Sequence, residues 1–189
     1  MCWAEAVPKR HLAVVLLVPE PFATEIDGLR RATGDPQRER IGPHITVVPP
    51  INVAVDDVPV VLRQLRVAAA ACRALDLVIG PVTTFAPVTP LAYLSVDGEP
   101  STRRALDRLR DDLSVGPLDR PLTHRFVPHV TISGEQPADR LAAVVAGLAG
   151  WQAPVSFGLV SLMEHTQRPR SAWHPIAEEV LGLPSPPAG

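Results

Sequence analysis

The 189 residues are 46% apolar and 20% charged, enough to bury a core as one domain or as two small lobes sharing one sheet system. With 18 basic and 20 acidic residues the formal charge is −2, which excludes a broad positive field that would draw in long nucleic acid through many phosphate contacts. A nucleic-acid substrate is therefore small or gripped at one end. Two cysteines, Cys2 and Cys72, are too few for a disulfide framework, and no Cys-x-x-Cys or Cys/His cluster marks a zinc site, so a reducing, cytoplasmic setting is expected. Lys9 is the only lysine, a bias that a G+C-rich bacterial coding sequence produces.

From the amino end, the β-rich run His11 to Val18 reads as a buried strand. It follows Lys9 and Arg10 as the apolar part of a signal peptide would, but it ends in Pro-Glu-Pro without a small-residue cleavage site. Pro21 opens a helical pattern through Ile26, Leu29 and Arg30, and turn-formers around Gly34, Asp35 and Pro36 close it. A second strand, Pro43 to Val48, is expected to stop at Pro49 and Pro50. Asp56 and Asp57 stand where they can cap a helix through Val61, Leu65 and Ala69 to about Leu75, and a strand from Leu77 to Ile79 closes the unit at Gly80-Pro81.

The second half repeats this order. A strand from Leu91 to Val96 leads to Ser101, placed to cap a helix that carries Leu106, Leu109 and Leu113 on one face and ends at Gly116 and Pro117. Val127 to Ile132 form the next strand, followed by a helix from about Ala138 to Leu148 and a strand from Val155 to about Met163. Each half reads β-α-β-α-β, over about 11–80 and 91–163, within one domain expected to span 1–183. After a loop with His165, Arg168 and Arg170, a closing strand covers about 173–181, and the Pro-rich residues 184–189 are expected to be a flexible tail. No run approaches the roughly 18 consecutive apolar residues of a membrane span. No membrane partner is expected.

The strongest element shared by the halves is Pro-His-aliphatic-Thr-aliphatic, at residues 43 to 47 and 128 to 132. Side chains alternate along a strand, so His44 and Thr46 share one face while Ile45 and Val47 take the other; His129 and Thr131 are arranged alike. If the two strands lie near a pseudo-twofold axis, two imidazoles and two hydroxyls converge. That set suits phosphodiester cleavage, which needs a base on the attacking oxygen and an acid on the leaving oxygen. Imidazole, with an ordinary pKa of about 6.5, fills either post near neutrality, and threonine hydroxyls can donate to the non-bridging oxygens. No metal or other cofactor is then required.

The segments Pro43-His44-Ile45-Thr46 and Phe126-Val127-Pro128-His129-Val130-Thr131 resemble the paired His-x-Thr motifs of the two-histidine phosphoesterase superfamily, in its 2′-5′ RNA ligase-like branch. The resemblance runs from the strand at His11 to the one near Leu181. It implies a mixed α/β (α+β) bilobal fold, two pseudo-twofold-related β-α-β-α-β lobes with antiparallel-rich sheets facing a central cleft. It also implies His44 and His129 as catalytic residues, Thr46 and Thr131 as phosphate-binding residues, and substrates that are small nucleotides or RNA termini bearing 2′,3′-cyclic phosphates or 2′-5′ linkages. Extended duplex binding is not expected, and the chain is expected to act as a monomer.

Many relatives follow the second motif with a basic residue, whereas here Ser133, Gly134 and Glu135 stand after it. Arg40, Arg125, Arg168 or Arg170 could grip phosphate instead, and among the few aromatic residues Phe85, Phe126 and Trp173 could stack on a base, although a surface arginine and a core aromatic are the commoner roles. A metal site using His44, His129 and a third histidine is disfavoured by threonine, a poor ligand, two residues along. Ser133 and Ser161 lack a nucleophile elbow, and the absence of a P-loop argues against ATP-driven ligation by this chain. Two alternatives stand beside the phosphodiesterase reading: a nucleotide- or RNA-end-binding module without turnover, and a phosphoesterase acting on a specialised small-molecule phosphodiester.

Overall fold

The first strand, β1 (Lys9–Leu17), is buried without a break from Leu12 to Leu16, as a central strand covered on both faces must be. The computed structural model in which it lies describes residues 7–121, 124–134, 136–167 and 170–182. The other elements follow as α1 (Phe22–Thr33), β2 (His44–Ala54), α2 (Val58–Ala71), β3 (Leu75–Phe85), β4 (Thr89–Asp97), α3 (Pro100–Leu113), β5 (His129–Ser133), α4 (Ala138–Gly147), β6 (Ala153–Phe157), β7 (Leu159–Thr166) and β8 (Ala172–Val180). The expected tail at 184–189 falls outside the described residues, as does Cys2.

Two four-stranded sheets organise the chain, in the orders β2-β1-β7-β8 and β5-β4-β3-β6, and every pairing is antiparallel. The bilobal α/β architecture is therefore present, with an exchange that hydrophobic periodicity does not reveal. β3 leaves the first half to pair with β4 and β6, and β7 returns from the second half to pair with β1. β2 and β5 take matching positions at the edge of their sheets, and these two edges lie against each other.

Several element boundaries differ from the sequence expectation for identifiable reasons. Pro49 and Pro50 do not stop β2, which runs on to Ala54, because an edge strand needs backbone donors on one side only and the register shifts opposite Leu12, Val14 and Val15 absorb the misfit. Gly80-Pro81 does not close β3; a register shift between Ile79 and Val82 carries the strand through to Phe85. The single strand expected from Val155 to Met163 breaks at Gly158, and its two parts join different sheets. Asp57 is at the N-cap of α2 without a side-chain cap bond, and α3 starts at Pro100 after Glu99, which leaves Ser101 inside the helix to accept a bond from Arg73 Nη2 at 2.8 Å.

The apolar faces of the helices meet both sheets in one continuous core that includes Ile26, Leu65, Leu106, Leu109 and Leu141. Two side chains then tie the lobes across the meeting edges. Thr33 Oγ1, at the end of α1, donates to the Ile132 carbonyl of β5 at 2.5 Å, and Arg120 Nη1, which follows α3, donates to the Pro50 carbonyl of β2 at 2.7 Å.

Gly80 provides a test of the β3 bulge. Its φ is +99° and an added Cβ would stand 2.3 Å from the Trp151 carbonyl oxygen, a backbone atom that cannot swing aside. Gly80→Ala should lower unfolding stability by about 2–4 kcal/mol in urea denaturation. A midpoint equal to that of wild type would show that the bulge accepts a side chain.

Candidate active site

Both motif strands bury alternate residues in the same rhythm. Pro43, Ile45 and Val47 are buried while His44 and Thr46 keep partial exposure, and Pro128, Val130 and Ile132 are buried while His129 and Thr131 keep theirs. The aliphatic residues anchor each strand into the core and aim the polar pair at the other face. Each histidine is the first residue of its strand, opposite Leu17 on β1 for His44 and Ser95 on β4 for His129.

The rings are held identically. His44 Nδ1 lies 2.8 Å from the Gly42 carbonyl and His129 Nδ1 lies 2.7 Å from the Val127 carbonyl. A carbonyl oxygen only accepts, so Nδ1 carries the proton in both rings and Nε2 is left to exchange one. The two rings are close enough that charge on His129 disfavours charge on His44.

Electrostatics separate the pair. Burial pushes the His44 pKa down to about 4, against the opposing bond to Gly42, and the nearby Arg30 guanidinium lowers it further. Burial also lowers the His129 pKa, opposed by the bond to Val127. Arg30 itself is 3% exposed, with Nε donating to Asp35 Oδ2 at 2.7 Å and Nη1 donating to the Ile41 carbonyl at 2.7 Å. The Gln37 N–H donates to Asp35 Oδ1 at 3.1 Å, so this buried pair also folds the loop that delivers His44.

On the second lobe aromatic rings frame His129. Phe85 and Tyr93 stack with centroids 4.0 Å apart, and both stand edge-on to the imidazole, at 5.0 Å and 5.3 Å. Beyond them opens a cavity of about 700 Å³, lined by Thr46 of the first motif, His129 of the second, Phe85, Phe126, Arg110, Arg120 and Arg125, among others. His44 and Thr131 are outside its lining; His44 shares the face of Thr46 one pleat away along β2.

Of the residues singled out in the sequence, Arg125 and Phe126 line this cavity and Arg40 and Arg170 do not. Arg40 is exposed, with Nη1 3.5 Å from Gln37 Oε1. Arg168 lies outside the described residues, as does Glu135. Trp173 packs instead with His11 and His165, with centroids at 5.4 Å and 5.2 Å. Sequence reasoning missed Arg110, Arg120, Tyr93 and the role of Arg30. A signal existed for two of them: Arg30 is four residues beyond buried Ile26 and Arg110 four beyond buried Leu106, so each interrupts an apolar helix stripe with a charge. Among the described residues, no group of three or more His, Cys, Asp or Glu side chains is placed to hold a metal, and no helix is long and apolar enough to cross a membrane.

Two antiparallel sheets that each present a His-x-Thr strand at their meeting edges define a two-histidine phosphoesterase architecture. The model of the 2′-5′ RNA ligase superfamily matches residues 18–167, and the chain belongs to that superfamily. A provisionally named phosphoesterase of Bacillus cytotoxicus is 29% identical over 122 residues, covering 65% of this chain and 68% of its own. Among solved structures, Escherichia coli LigT complexed with 3′-AMP aligns over 93% of this chain and 100% of its own, with a TM-score of 0.60 and 16% identity. Thermus thermophilus TT0787 aligns over 91% and 98%, with a TM-score of 0.60 and 15% identity. At these identities the structural likeness is one of fold.

The depressed His44 pKa has a consequence for stability. As pH falls from about 6.5 to about 4, the unfolded chain binds a proton that folded His44 refuses, so stability declines through that window and is level above it. Urea midpoints should therefore fall between these pH values in wild type and fall less in His44→Gln. Parallel curves for the two proteins would place the proton-linked loss elsewhere.

Proposed function

We propose that the chain is a metal-independent phosphodiesterase acting on 2′,3′-cyclic phosphates or 2′-5′ linkages of small nucleotides or RNA ends. The observation that carries this reading is the matched anchoring of His44 and His129 through Nδ1, which leaves Nε2 on each ring for proton transfer. His44, with the lower proton affinity of the pair, is neutral in the empty site and serves as base. It takes a proton from water as the water oxygen attacks phosphorus. His129 gives a proton to the departing ribose oxygen as its bond to phosphorus breaks, and a phosphomonoester results. Thr46 and Thr131 donate hydrogen bonds to the non-bridging oxygens, where negative charge builds.

Structures of Escherichia coli LigT complexed with 3′-AMP, with ATP and with NADP+ support a nucleotide substrate class for a cleft of this fold.

Hydrolysis of a panel of nucleoside 2′,3′-cyclic phosphates in EDTA tests the reading. Wild type should turn over, and His44→Ala and His129→Ala should each lose about 100-fold or more in kcat/KM. Loss of wild-type activity in EDTA would restore a metal mechanism; an active, well-folded double alanine variant would remove the histidines from the chemistry. The free-enzyme pH profile should be a bell with an acid limb near the His44 value of about 4 and an alkaline limb, set by His129, below the ordinary histidine value of about 6.5. A rate independent of pH across that range, in a step shown to be chemical, would count against the pair.

A further inference from the structure

The C-terminal end of α1 reaches toward both motif strands, and it does so from a single helical turn. Gly34 follows the helix at φ +72°, and the turn it makes returns the chain so that the Asp35 N–H donates to the Arg30 carbonyl at 2.9 Å. This sets Asp35 against the Arg30 guanidinium, with both residues buried. Arg30 Nη1 then holds the Ile41 carbonyl, three residues before His44.

Thr33, three residues further along α1 and on the same side of it as Arg30, reaches the other motif. It is 8% exposed, and its hydroxyl lies 2.5 Å from the Ile132 carbonyl, nearer than the Leu29 and Arg30 carbonyls of its own helix at 3.1 Å each. A hydroxyl has one proton to donate, and its nearest acceptor is on β5, one residue past Thr131. Packing repeats the link. A Cβ added to Gly134 would stand 3.1 Å from Pro36 Cδ and 3.8 Å from Asp35 Oδ1, so the chain leaving β5 lies directly against the chain that leads to His44. The tie from the second lobe, Arg120 to the Pro50 carbonyl, meets β2 beyond its motif.

In-line displacement at phosphorus needs its acid and base on opposite sides at fixed reach, and a misplacement of about 1 Å can cost about 100-fold in rate. We propose that the last turn of α1 is a positioning device that sets the separation of the His44 and His129 rings, with the Arg30–Asp35 pair as its hold on the first motif and Thr33 as its hold on the second. The inference rests on the phosphodiesterase reading for its effect on rate. Thr33 and Asp35 lie outside the cavity lining and act through the motif strands, not on the substrate.

Steady-state kinetics on a nucleoside 2′,3′-cyclic phosphate, with NMR of the histidine ring protons as a second readout, test this. Thr33→Val keeps the shape and removes the hydroxyl; kcat should fall about 10- to 100-fold with KM within about threefold of wild type. Thr33→Ser, which keeps the hydroxyl, should hold kcat within about threefold of wild type. Asp35→Asn, where thermal melting shows it folded, should lower kcat as Thr33→Val does. Thr102→Val, the loss of a buried hydroxyl on α3 that meets Arg73 Nη2 at 3.4 Å, should leave kcat unchanged. At about pH 8, where both rings are neutral, Thr33→Val should displace the ring signals of His44 as well as those of His129. A hydroxyl that only stabilises the fold would lower the melting temperature and change neither kcat nor the His44 signals. Wild-type kcat in Thr33→Val or in folded Asp35→Asn, an equal loss in Thr33→Ser, or unmoved His44 signals would each overturn the inference. If wild type cleaves no cyclic phosphate, the phosphodiesterase reading falls and the His44 signals alone decide on the positioning device. Turnover with kcat unaffected by Thr33→Val keeps the reading and removes the device.

Discussion

The structure depends on two sheet edges meeting without zipping into one continuous sheet. Edge strands present backbone groups that invite pairing, and here each edge is answered by a side chain from the opposite lobe. Thr33 reaches the Ile132 carbonyl of β5, and Arg120 reaches the Pro50 carbonyl of β2. Pro49 and Pro50 further leave β2 with two fewer backbone donors, the register shifts against β1 absorbing the misfit there. With the edges held in contact, yet not laddered, the residues at their starts stay on an open face. His44 and His129 are those residues.

The pseudo-twofold arrangement supplies two equivalent imidazoles, but the proposed acid–base roles need them unequal. Identical carbonyl anchors set identical tautomers. The inequality comes from what lies behind each ring. The proton affinity of His44 is held down first by its burial and then by the buried arginine behind it, whose positive charge opposes protonation while Asp35 offsets part of that effect. Beside His129 are Phe85 and Tyr93, which restrict water without adding charge. A repeat of architecture thus acquires polarity through a few substitutions on its helices and strands, and the arginine at the corresponding place of the second lobe, Arg110, stands over the Phe126 ring instead.

Much of this was legible in the chain. The order β-α-β-α-β in each half, the alternation of His and Thr against aliphatic residues, and the doubled motif required only local periodicity, which acts over a few residues and is written in them. Other features were not. Pro49 and Pro50 look like strand stops until β2 is known to be an edge, and Gly158 gives no hint that the strand it interrupts serves two sheets. Arg30 and Arg110 carried a faint signal as charges within apolar stripes, yet a stripe does not say whether a carboxylate, an aromatic ring or solvent waits at its end.

The sequence by itself determined the identity of the paired motif, the face each side chain takes and the repeat that carries them, because these follow from strand geometry and side-chain alternation. Only the tertiary structure decided that β3 and β7 exchange between sheets, that the two motif strands meet edge to edge, and that Thr46 of the first half and His129 of the second line one cavity. Those outcomes depend on contacts between residues far apart in the chain, whose energies are set by burial and charge in the folded state and have no counterpart in any local pattern.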